Sequence, residues 1–161
     1  TRPLFRLWIN LDTLMVHRLC RDAVDFAFFR PKDDLFTSAA HADRAYHLAK
    51  GSIIYFRDPE EMSHQDEIQE VDEGAWLSEV ALWTEWVHVG RAEAQSHCEV
   101  VTITAEKLID TCKRHRRAAE IAQEYCKHYH SCVVSATPPN APWPTDLHVP
   151  FTEWEDMVLA M

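Results

Sequence analysis

Glycine is scarce in this chain, which has three among its 161 residues. Two of them, Gly74 and Gly90, lie in the stretch 74–91, whose sequence is GAWLSEVALWTEWVHVGR. A glycine in a glycine-poor chain indicates a backbone position that needs a positive φ or a close approach. The stretch 74–91 is therefore the first place to expect a functional turn.

Basic residues and long apolar runs are also few. The chain has 16 Lys and Arg against 26 Asp and Glu, a formal net charge of −10, which disfavours the basic face that nucleic acids and anionic membranes require. No apolar run approaches the roughly 18 to 20 residues of a membrane-spanning helix, and the N-terminus has no signal-peptide pattern. We therefore expect no nucleic-acid partner and no direct membrane insertion of this segment.

Cysteine pairs of the CxxC type are absent. The five cysteines are scattered, which favours reduced thiols in a cytosolic protein over a disulfide framework or a zinc ribbon. Cys126, His128, His130 and Cys132 invite a zinc hypothesis, but on a helix they fall on two faces. We expect no metal there, and a fraying helix end with buried thiols instead. No nucleophile elbow occurs, so we expect no enzymatic activity.

The first half of the chain is predicted to be a helix followed by short strands. Apolar residues at i, i+3 and i+4 predict a helical segment over 1–24, in which Asn10 or Asp12 begins a second helix. Short apolar runs between turns predict strands from Phe26 to Phe56. The acidic segment Arg57–Asp72 is expected to be an exposed hairpin tip or loop.

The second half is predicted to contain a strand over Ala94–Ile103, then helix, then an irregular tail. Thr104 is a good N-cap for one long helix or two in series, ending near Ser131. The proline-rich tail from Thr137 cannot be regular until a short apolar helix at its end. The predicted fold is α+β: a helical segment at 1–24, a β-roll or jelly roll of short antiparallel strands with C-terminal helices at 25–131, and the tail at 132–161.

The stretch 74–91 has the elements of an anion site. A short helix that begins after Gly74 or Leu77 would present free backbone N–H groups. An arginine that returned to the same place, Arg91, would complete a phosphate cradle.

Four segments, in order, resemble cyclic-nucleotide-binding domains, as found in voltage-gated channels and in the regulatory subunit of cAMP-dependent kinase. LDTLMVHRLCRDAVDFAFFRPKDDLF resembles the first helix, the first strands and a P-x-D-x-x-F turn, and RAYHLAKGSIIYF resembles a strand pair. GAWLSEVAL resembles the phosphate-binding cassette, whose core is Gly-Glu-x-Ala-Leu, and CEVVTITAEKLIDTCKRH resembles the last strand and the start of the B and C helices. The resemblance covers about residues 11–130.

The resemblance implies a nucleotide site, with cAMP or cGMP as ligand and no other cofactor. In functional members the cassette glutamate, here Glu79, holds the ribose 2′-hydroxyl, and an arginine, here Arg91, pairs with the cyclic phosphate. The C helix, here about Lys113–Tyr129, covers the base, with Ile121 and Tyr125 placed to stack on a purine. The implied ligand-binding residues are Gly74, Trp76, Leu77, Ser78, Glu79, Val80, Ala81, Arg91 and Ala92.

The cassette departs from the family pattern. Ser78 replaces the glycine before Glu79, and serine lacks the freedom of glycine at a crowded turn. Arg91 lies further from Glu79 than is usual, and the hydroxyl that should follow it is missing from the sequence RAEA. Glu93 adds a like charge for an anion, which at roughly 4 Å costs about 1 to 4 kcal/mol. We therefore expect a degenerate cassette that binds no nucleotide.

The site residues have two interpretations. Glu79 and Arg91 are either ligands for ribose and phosphate or an internal ion pair that closes an empty cassette. Trp76, Trp83 and Trp86 either line the pocket or belong to the core.

The tail also has two interpretations. In channels of the EAG type, which the sequence resembles in this respect, the homology domain binds no nucleotide and a segment after the C helix occupies the pocket. Here the tail, with Trp143 and Phe151–Met161, either does the same or packs on the surface.

The sequence thus predicts a non-enzymatic regulatory domain, cut from a larger cytosolic or membrane-attached protein. By resemblance alone, the first choice of effector is an ion channel, such as a potassium channel, with this domain on the cytoplasmic side and a homo-oligomer as a possible assembly. The alternatives are a functional cAMP or cGMP sensor and a protein–protein interaction module that uses the acidic surface and aromatic tail. Regulation would be a population shift in the position of the C helix.

Overall fold

The computed structural model describes residues 5, 8–10, 12–57, 68–153 and 157. The elements follow the predicted order of helix, short strands interrupted by one small helix, and helices. They are α1 (Thr13–Asp22), β1 (Val24–Phe29), β2 (Asp34–Phe36), β3 (His41–Ala42), β4 (Arg44–Lys50), β5 (Ile53–Arg57), β6 (Ile68–Val71), β7 (Trp76–Leu77), a 3₁₀ helix (Glu79–Leu82), β8 (Trp86–Val87), β9 (Gly90–Ala94), β10 (Cys98–Thr104), α2 (Ala105–Lys113) and α3 (Arg116–Ser135).

Helix α1 begins where the sequence predicts. Asp12 is its N-cap, because its Oδ1 accepts a hydrogen bond from the Met15 N–H at 2.9 Å. This hydrogen bond, together with His115, lowers the pKa of the Asp12 carboxyl. Met15 and Leu19 lie one turn apart and are buried. The helix therefore packs its apolar side towards α2 and is tied at its start to the junction of α2 and α3.

Two antiparallel sheets form the roll. Their strand orders are β1-β10-β4-β7 and β2-β9-β5-β6, and β3 and β8 form a separate two-stranded ribbon. Along β10, the buried Cys98 and Val100 alternate with the exposed Glu99, because successive side chains point to opposite faces of a strand. The buried face of this strand lines the interior between the sheets.

The buried apolar residues form two clusters. The interior cluster fills the roll between the sheets and includes Leu48, Ile53, Tyr55 and Val100. The helix-side cluster lies between the roll and the helices. It includes Trp8, Met15, Leu19, Val80, Leu82, Trp83, Ile103, Leu108, Tyr125 and Tyr129.

The predicted strand over Ala94–Ile103 is confirmed from Cys98 onwards and wrong before it, because the chain changes sheets within the predicted range. Ala94 pairs with Ile53 in the second sheet, whereas Cys98 pairs with Phe29 in the first. The residues between them bend, and the Gln95 N–H donates to Ser52 O at 2.9 Å. Two strands therefore stand in place of one.

Two other predictions need correction at their boundaries. The acidic segment Arg57–Asp72 is not all loop, because Ile68–Val71 pairs with β5 and forms the return strand of a hairpin; residues 58–67 lie outside the described part. The C-terminal helices are two in series and continue through Ser131 to Ser135. The predicted terminal helix also lies mostly outside the described residues, of which Met157 is helical and buried. In the described part, no helix is both long and apolar enough to cross a membrane.

Candidate functional site

A carboxylate from the tail lies inside the roll at the predicted cassette. It belongs to Asp146 and accepts five hydrogen bonds, which together we call the carboxylate cage. The donors to Oδ1 are Ser78 Oγ at 3.1 Å, Trp86 Nε1 at 2.9 Å and His88 Nδ1 at 2.7 Å, and the donors to Oδ2 are Tyr55 OH at 2.9 Å and the Val89 N–H at 3.0 Å.

The cage is built mainly from the segment between the 3₁₀ helix and β9. This is the extra length that separates Glu79 from Arg91 in the sequence. Strand β8 carries Trp86, and His88 directly follows the strand. Two backbone hydrogen bonds hold His88 in place, from its N–H to Ala40 O and from the Ala39 N–H to His88 O, each at 2.9 Å. The lengthened segment therefore supplies three of the five donors to Asp146.

The cage is buried, and none of the described groups that donate to the Asp146 carboxylate belongs to an arginine or a lysine. The side chains of His88 and Asp146 are 3% and 0% exposed. Phe36 stacks on the His88 ring at a centroid distance of 3.9 Å, which closes that side with an apolar wall. Burial, and then the negative charge of Asp146, raise the pKa of Tyr55, so its hydroxyl stays protonated and donates. A buried carboxylate is tolerated when its oxygens are fully hydrogen-bonded, as they are here.

Ser78 takes the glycine position of the cassette in a left-handed conformation. Its φ is +54° and it is fully buried, a conformation that costs a residue with a Cβ about 1 to 2 kcal/mol. The hydroxyl that glycine would lack donates to Asp146, and the Ser78 N–H donates to Asp146 O at 2.6 Å. The departure from glycine is therefore coupled to the tail aspartate.

Gly90 gives Tyr55 room to reach the cage. A Cβ at this position would lie 2.4 Å from both Cζ and OH of Tyr55, closer than any real Cβ contact. The same Cβ would lie 2.5 Å from Phe56 O, so the packing of this position against β5 requires a glycine.

The tail presents Asp146 from a compact turn. The Thr145 N–H donates to His148 O at 2.8 Å, and Thr145 Oγ1 accepts from the N–H groups of Leu147 and His148 at 3.2 and 3.1 Å. Leu147 packs against the interior cluster and Val149 is buried in the helix-side cluster. The turn thereby joins the two cores.

Little space remains beside the turn. The residual cavity of about 40 Å³ is lined by Trp76, Glu79, Val80, Tyr129 and the tail. Ligand pockets for small molecules measure roughly 300 Å³ or more, so this cavity has room for about one water molecule.

The predicted cassette residues fall into several environments. Glu79 is buried in the first turn of the 3₁₀ helix, and the Gly74 N–H donates to Leu48 O at 2.7 Å in a turn with a φ of +89°. Leu77 and Ala92 are buried in the interior cluster, Val80 in the helix-side cluster, and Ala81 is also buried. The prediction that these residues bind a nucleotide remains a prediction.

Arg91 lies elsewhere, on the outer side of β9. Its side chain is 44% exposed, and its guanidinium pairs with Asp34 at 2.6 Å and with Glu93. The hydrogen bond to Asp34 raises the pKa of Arg91. The hypothesis of an internal ion pair between Glu79 and Arg91 is therefore wrong, because β9 turns Ala92 inward and Arg91 outward.

The predicted lid residues pack against the roll. Tyr125 is buried and meets Trp83 edge-on at a centroid distance of 4.9 Å, and Ile121 is half-buried against the same cluster. Of the three tryptophans, Trp83 belongs to the core, Trp86 is a cage donor, and Trp76 lines the residual cavity.

Cys112 of α2 is buried and Cys126 of α3 is half-buried, and both thiols stay protonated. Burial raises the pKa of Cys112 to about 12 and also raises that of Cys126. Cys132 Sγ lies 3.8 Å from His128 Nε2 and donates to Phe151 O at 3.4 Å, which ties α3 to the tail. No group of three or more potential metal ligands comes together in the described residues.

The tail residue that enters the roll at the cassette is Asp146, which the prediction did not name, and residues 154–156 and 158–161 of the predicted plug lie outside the described part. Trp143 is 40% exposed and Phe151 is exposed as well, whereas Asp146 is buried between them in sequence. The signals in the sequence were Asp146, the one acidic residue of the proline-rich stretch 137–150, and His88 in the segment between Glu79 and Arg91.

No protein-family profile and no curated protein matches the sequence. Solved structures do match it. A cyclic nucleotide-binding-like protein from Brucella abortus is 26% identical, with a TM-score of 0.54 over 71% of this chain and 90% of that chain. The C-linker/CNBHD of zELK channels, crystallised in the presence of cAMP, is 15% identical, with a TM-score of 0.61 over 78% of this chain.

A third match is the N-terminal domain of a transcriptional regulator from Streptomyces coelicolor, 16% identical with a TM-score of 0.60 over 84% of this chain and 96% of that chain. This chain spans only 60% of the zELK fragment. The chain has the fold of cyclic-nucleotide-binding domains, so the predicted resemblance and the α+β roll with flanking helices are confirmed. The same fold occurs in a channel and in a transcriptional regulator, and it is therefore compatible with more than one effector.

Proposed function

We propose that this chain is a non-enzymatic regulatory domain whose ligand pocket is closed by its own tail, so that it responds to release of the tail and not to cAMP or cGMP. The observation that carries the proposal is the Asp146 carboxylate. It bonds Ser78, directly before Glu79, and Val89, two residues before Arg91. The carboxylate thus places an anion in the cassette. A bound nucleotide would place its phosphate, also an anion, in such a cassette.

The arrangement links the pocket to the helices. Helix α3 leads directly into the tail, and Cys132 near its end donates to Phe151 O beyond the turn. Tyr129 of the same helix lines the residual cavity with Asp146 and Val149. Removal of the turn would take away one wall against which α3 packs, and a change in the population of helix positions would follow. The effector that receives this change is, by resemblance, a channel on whose cytoplasmic side the domain would sit as part of a larger polypeptide.

The proposal is tested with the full chain, in its wild-type form and as Asp146→Ala. We expect faster hydrogen exchange at the Ser78 amide and at residues 147–148 in the variant, because these amides are held by the turn and its contact with the cassette. Asp110→Ala is the matched control, since Asp110 is an exposed aspartate whose nearest cation is Lys113 at 3.6 Å; its exchange should match the wild type.

Calorimetry supplies the second measurement. The wild type should bind neither cAMP nor cGMP at micromolar concentration, because the space beside the turn is too small. Micromolar binding by the wild type that is lost in Glu79→Ala would instead support a cyclic-nucleotide sensor. Unchanged exchange at Ser78 in Asp146→Ala would also contradict the proposal.

A further inference from the structure

The carboxylate cage has the chemistry of a receptor for a carboxylate rather than for a phosphate. Its donors are two hydroxyls, an indole N–H, a backbone N–H and one imidazole. In the described residues, no arginine or lysine touches the Asp146 oxygens. Phosphate recognition typically uses guanidinium or ammonium groups that offset its charge, whereas a planar carboxylate with two oxygens is fully satisfied by the donors present.

The bound element is local in sequence. Thr145, Asp146, Leu147 and His148 form the turn through hydrogen bonds among themselves, and the Asp146 carbonyl is held by the Ser78 N–H. Leu147 and Val149 add apolar contacts to the two clusters. The hydrogen bonds to the cage and these two apolar contacts therefore come from five consecutive residues, 145–149.

The link between α3 and this turn, residues 136–144, makes no hydrogen bond to the cage among the described residues. The hydrogen bonds of Thr137, Asn140 and Ala141 run to Ser135 or within the link itself, and Trp143 is exposed. The link acts as a tether, and a tether of this kind raises the local concentration of the turn to the millimolar range without adding contacts.

We infer that the cage is a receptor for an aspartate-bearing turn that can be supplied in trans, by an acidic peptide of the pattern Thr-Asp-Leu-x-Val on another chain. This inference rests on the proposed function, since the peptide would compete with the chain's own tail. The aspartate supplies the carboxylate, the threonine closes the turn, and the two apolar residues fill the places of Leu147 and Val149.

The test uses the full chain as Asp146→Ala, whose own tail lacks the carboxylate, and an end-blocked peptide with the sequence of residues 143–150. Calorimetry should detect binding of this peptide to the variant. The same peptide carrying Asp146→Asn should bind at least about tenfold more weakly, because hydrogen bonds to a charged acceptor exceed those to a neutral one by that factor or more. The wild-type chain should bind either peptide far more weakly than the variant does, since its tethered turn competes.

The outcomes separate the two proposals. If hydrogen exchange shows the tail released in Asp146→Ala and the peptide still fails to bind, the inference is overturned and the proposed function stands. Equal binding of the two peptides, or tighter binding of cAMP than of the peptide, also overturns the inference. If the tail stays protected in the variant, the proposed function itself fails. Asp146→Asn replaces Asp146→Ala in every arm if the alanine variant does not fold, because it keeps the volume of the side chain.

Discussion

The carboxylate contacts around Arg91 and those around Asp146 are built in opposite ways. Around Arg91, a guanidinium meets Asp34 and Glu93 on the outer face of the roll, with Arg91 44% exposed. Around Asp146, uncharged donors and His88 enclose a carboxylate that water does not reach. The exposed site has the stronger charges, but water and salt screen them. The buried site has weaker donors, but all of them point at the carboxylate and water does not screen them.

Arginine is the residue type expected to bind an anion, but the position of Arg91 does not show where the roll binds one. Arginine was the natural choice for a phosphate, yet it lies on the outer face of its strand. The anion that the roll does hold is bound where the backbone and neutral side chains converge. Burial and satisfied geometry decide the site, and charge alone does not.

Removal of the buried carboxylate should give the largest loss of stability. A small loss would remove the difference between the two sites. Asp146→Ala removes the shared acceptor of five buried donors, of which Ser78 Oγ and His88 Nδ1 lie 3.0 Å apart and can bond each other, and each buried group left unsatisfied costs about 1 to 3 kcal/mol. Urea denaturation of the full chain measures the change in the free energy of unfolding. A loss no greater than that in the exposed control Asp110→Ala would show that the cage contributes no more than a surface contact.

A methyl group at Gly90 should give the next largest effect. Gly90→Ala drives a Cβ against the Tyr55 ring and the Phe56 carbonyl oxygen, and overpacking of this kind costs about 1 to 3 kcal/mol. The displaced phenol should loosen Asp146, with a shift in the Trp86 indole N–H resonance in the NMR spectrum.

Gly74→Ala is the matched control for that variant. Gly74 also has a positive φ, of +89°, but a Cβ there meets nothing within 4 Å. It should lose stability through backbone strain while the Trp86 resonance stays in place. If both variants shift the resonance equally, the room beside Tyr55 is not what Gly90 provides.

Substitution of Ser78 should give a smaller effect that separates strain from hydrogen bonding. Ser78→Ala and Ser78→Gly both remove the hydroxyl bond to Asp146, but glycine adopts a φ of +54° without strain. We expect the glycine variant to be more stable than the alanine variant by about 1 kcal/mol. Thermal unfolding of the pair measures this difference, and an alanine variant at least as stable as the glycine variant would argue against a strained turn.

Arg91→Ala should give the smallest effect. Its ion pairs are exposed and screened, so the denaturation midpoint and the hydrogen exchange of the Ser78 amide should both match the wild type. A change at Ser78 would couple the outer face to the cage and remove the distinction between the two sites.

The fold was largely predictable from the sequence, because its signals are local. Asp12 caps α1, Thr104 precedes α2, and strand-like runs bounded by turns became strands. The boundary errors arose where local patterns compete with sheet pairing. The sequence from Ala94 to Ile103 has no glycine or proline to mark a break, and only the partners Ile53 and Phe29 show that it serves two sheets.

The sequence predicted where the site lies, but not which groups meet there. The alternation of small and charged residues in GRAEA would have placed Arg91 and Glu93 on one face, opposite Gly90 and Ala92. Nothing local, however, connects Asp146 to its donors, which lie between 57 and 91 residues away along the chain. A lone aspartate has no periodicity, and its partner atoms meet only when the roll has formed.

That long separation sets an order of events during synthesis. Every donor of the cage precedes its acceptor in the chain, and the last of them, Val89, is made 57 residues before Asp146. At translation rates of about 5 to 20 residues per second, the donors exist for roughly 3 to 11 s before the ribosome has added the aspartate that they will hold. Each newly made molecule therefore passes through an interval in which the hydroxyls, the indole and the imidazole have been made and their own carboxylate has not.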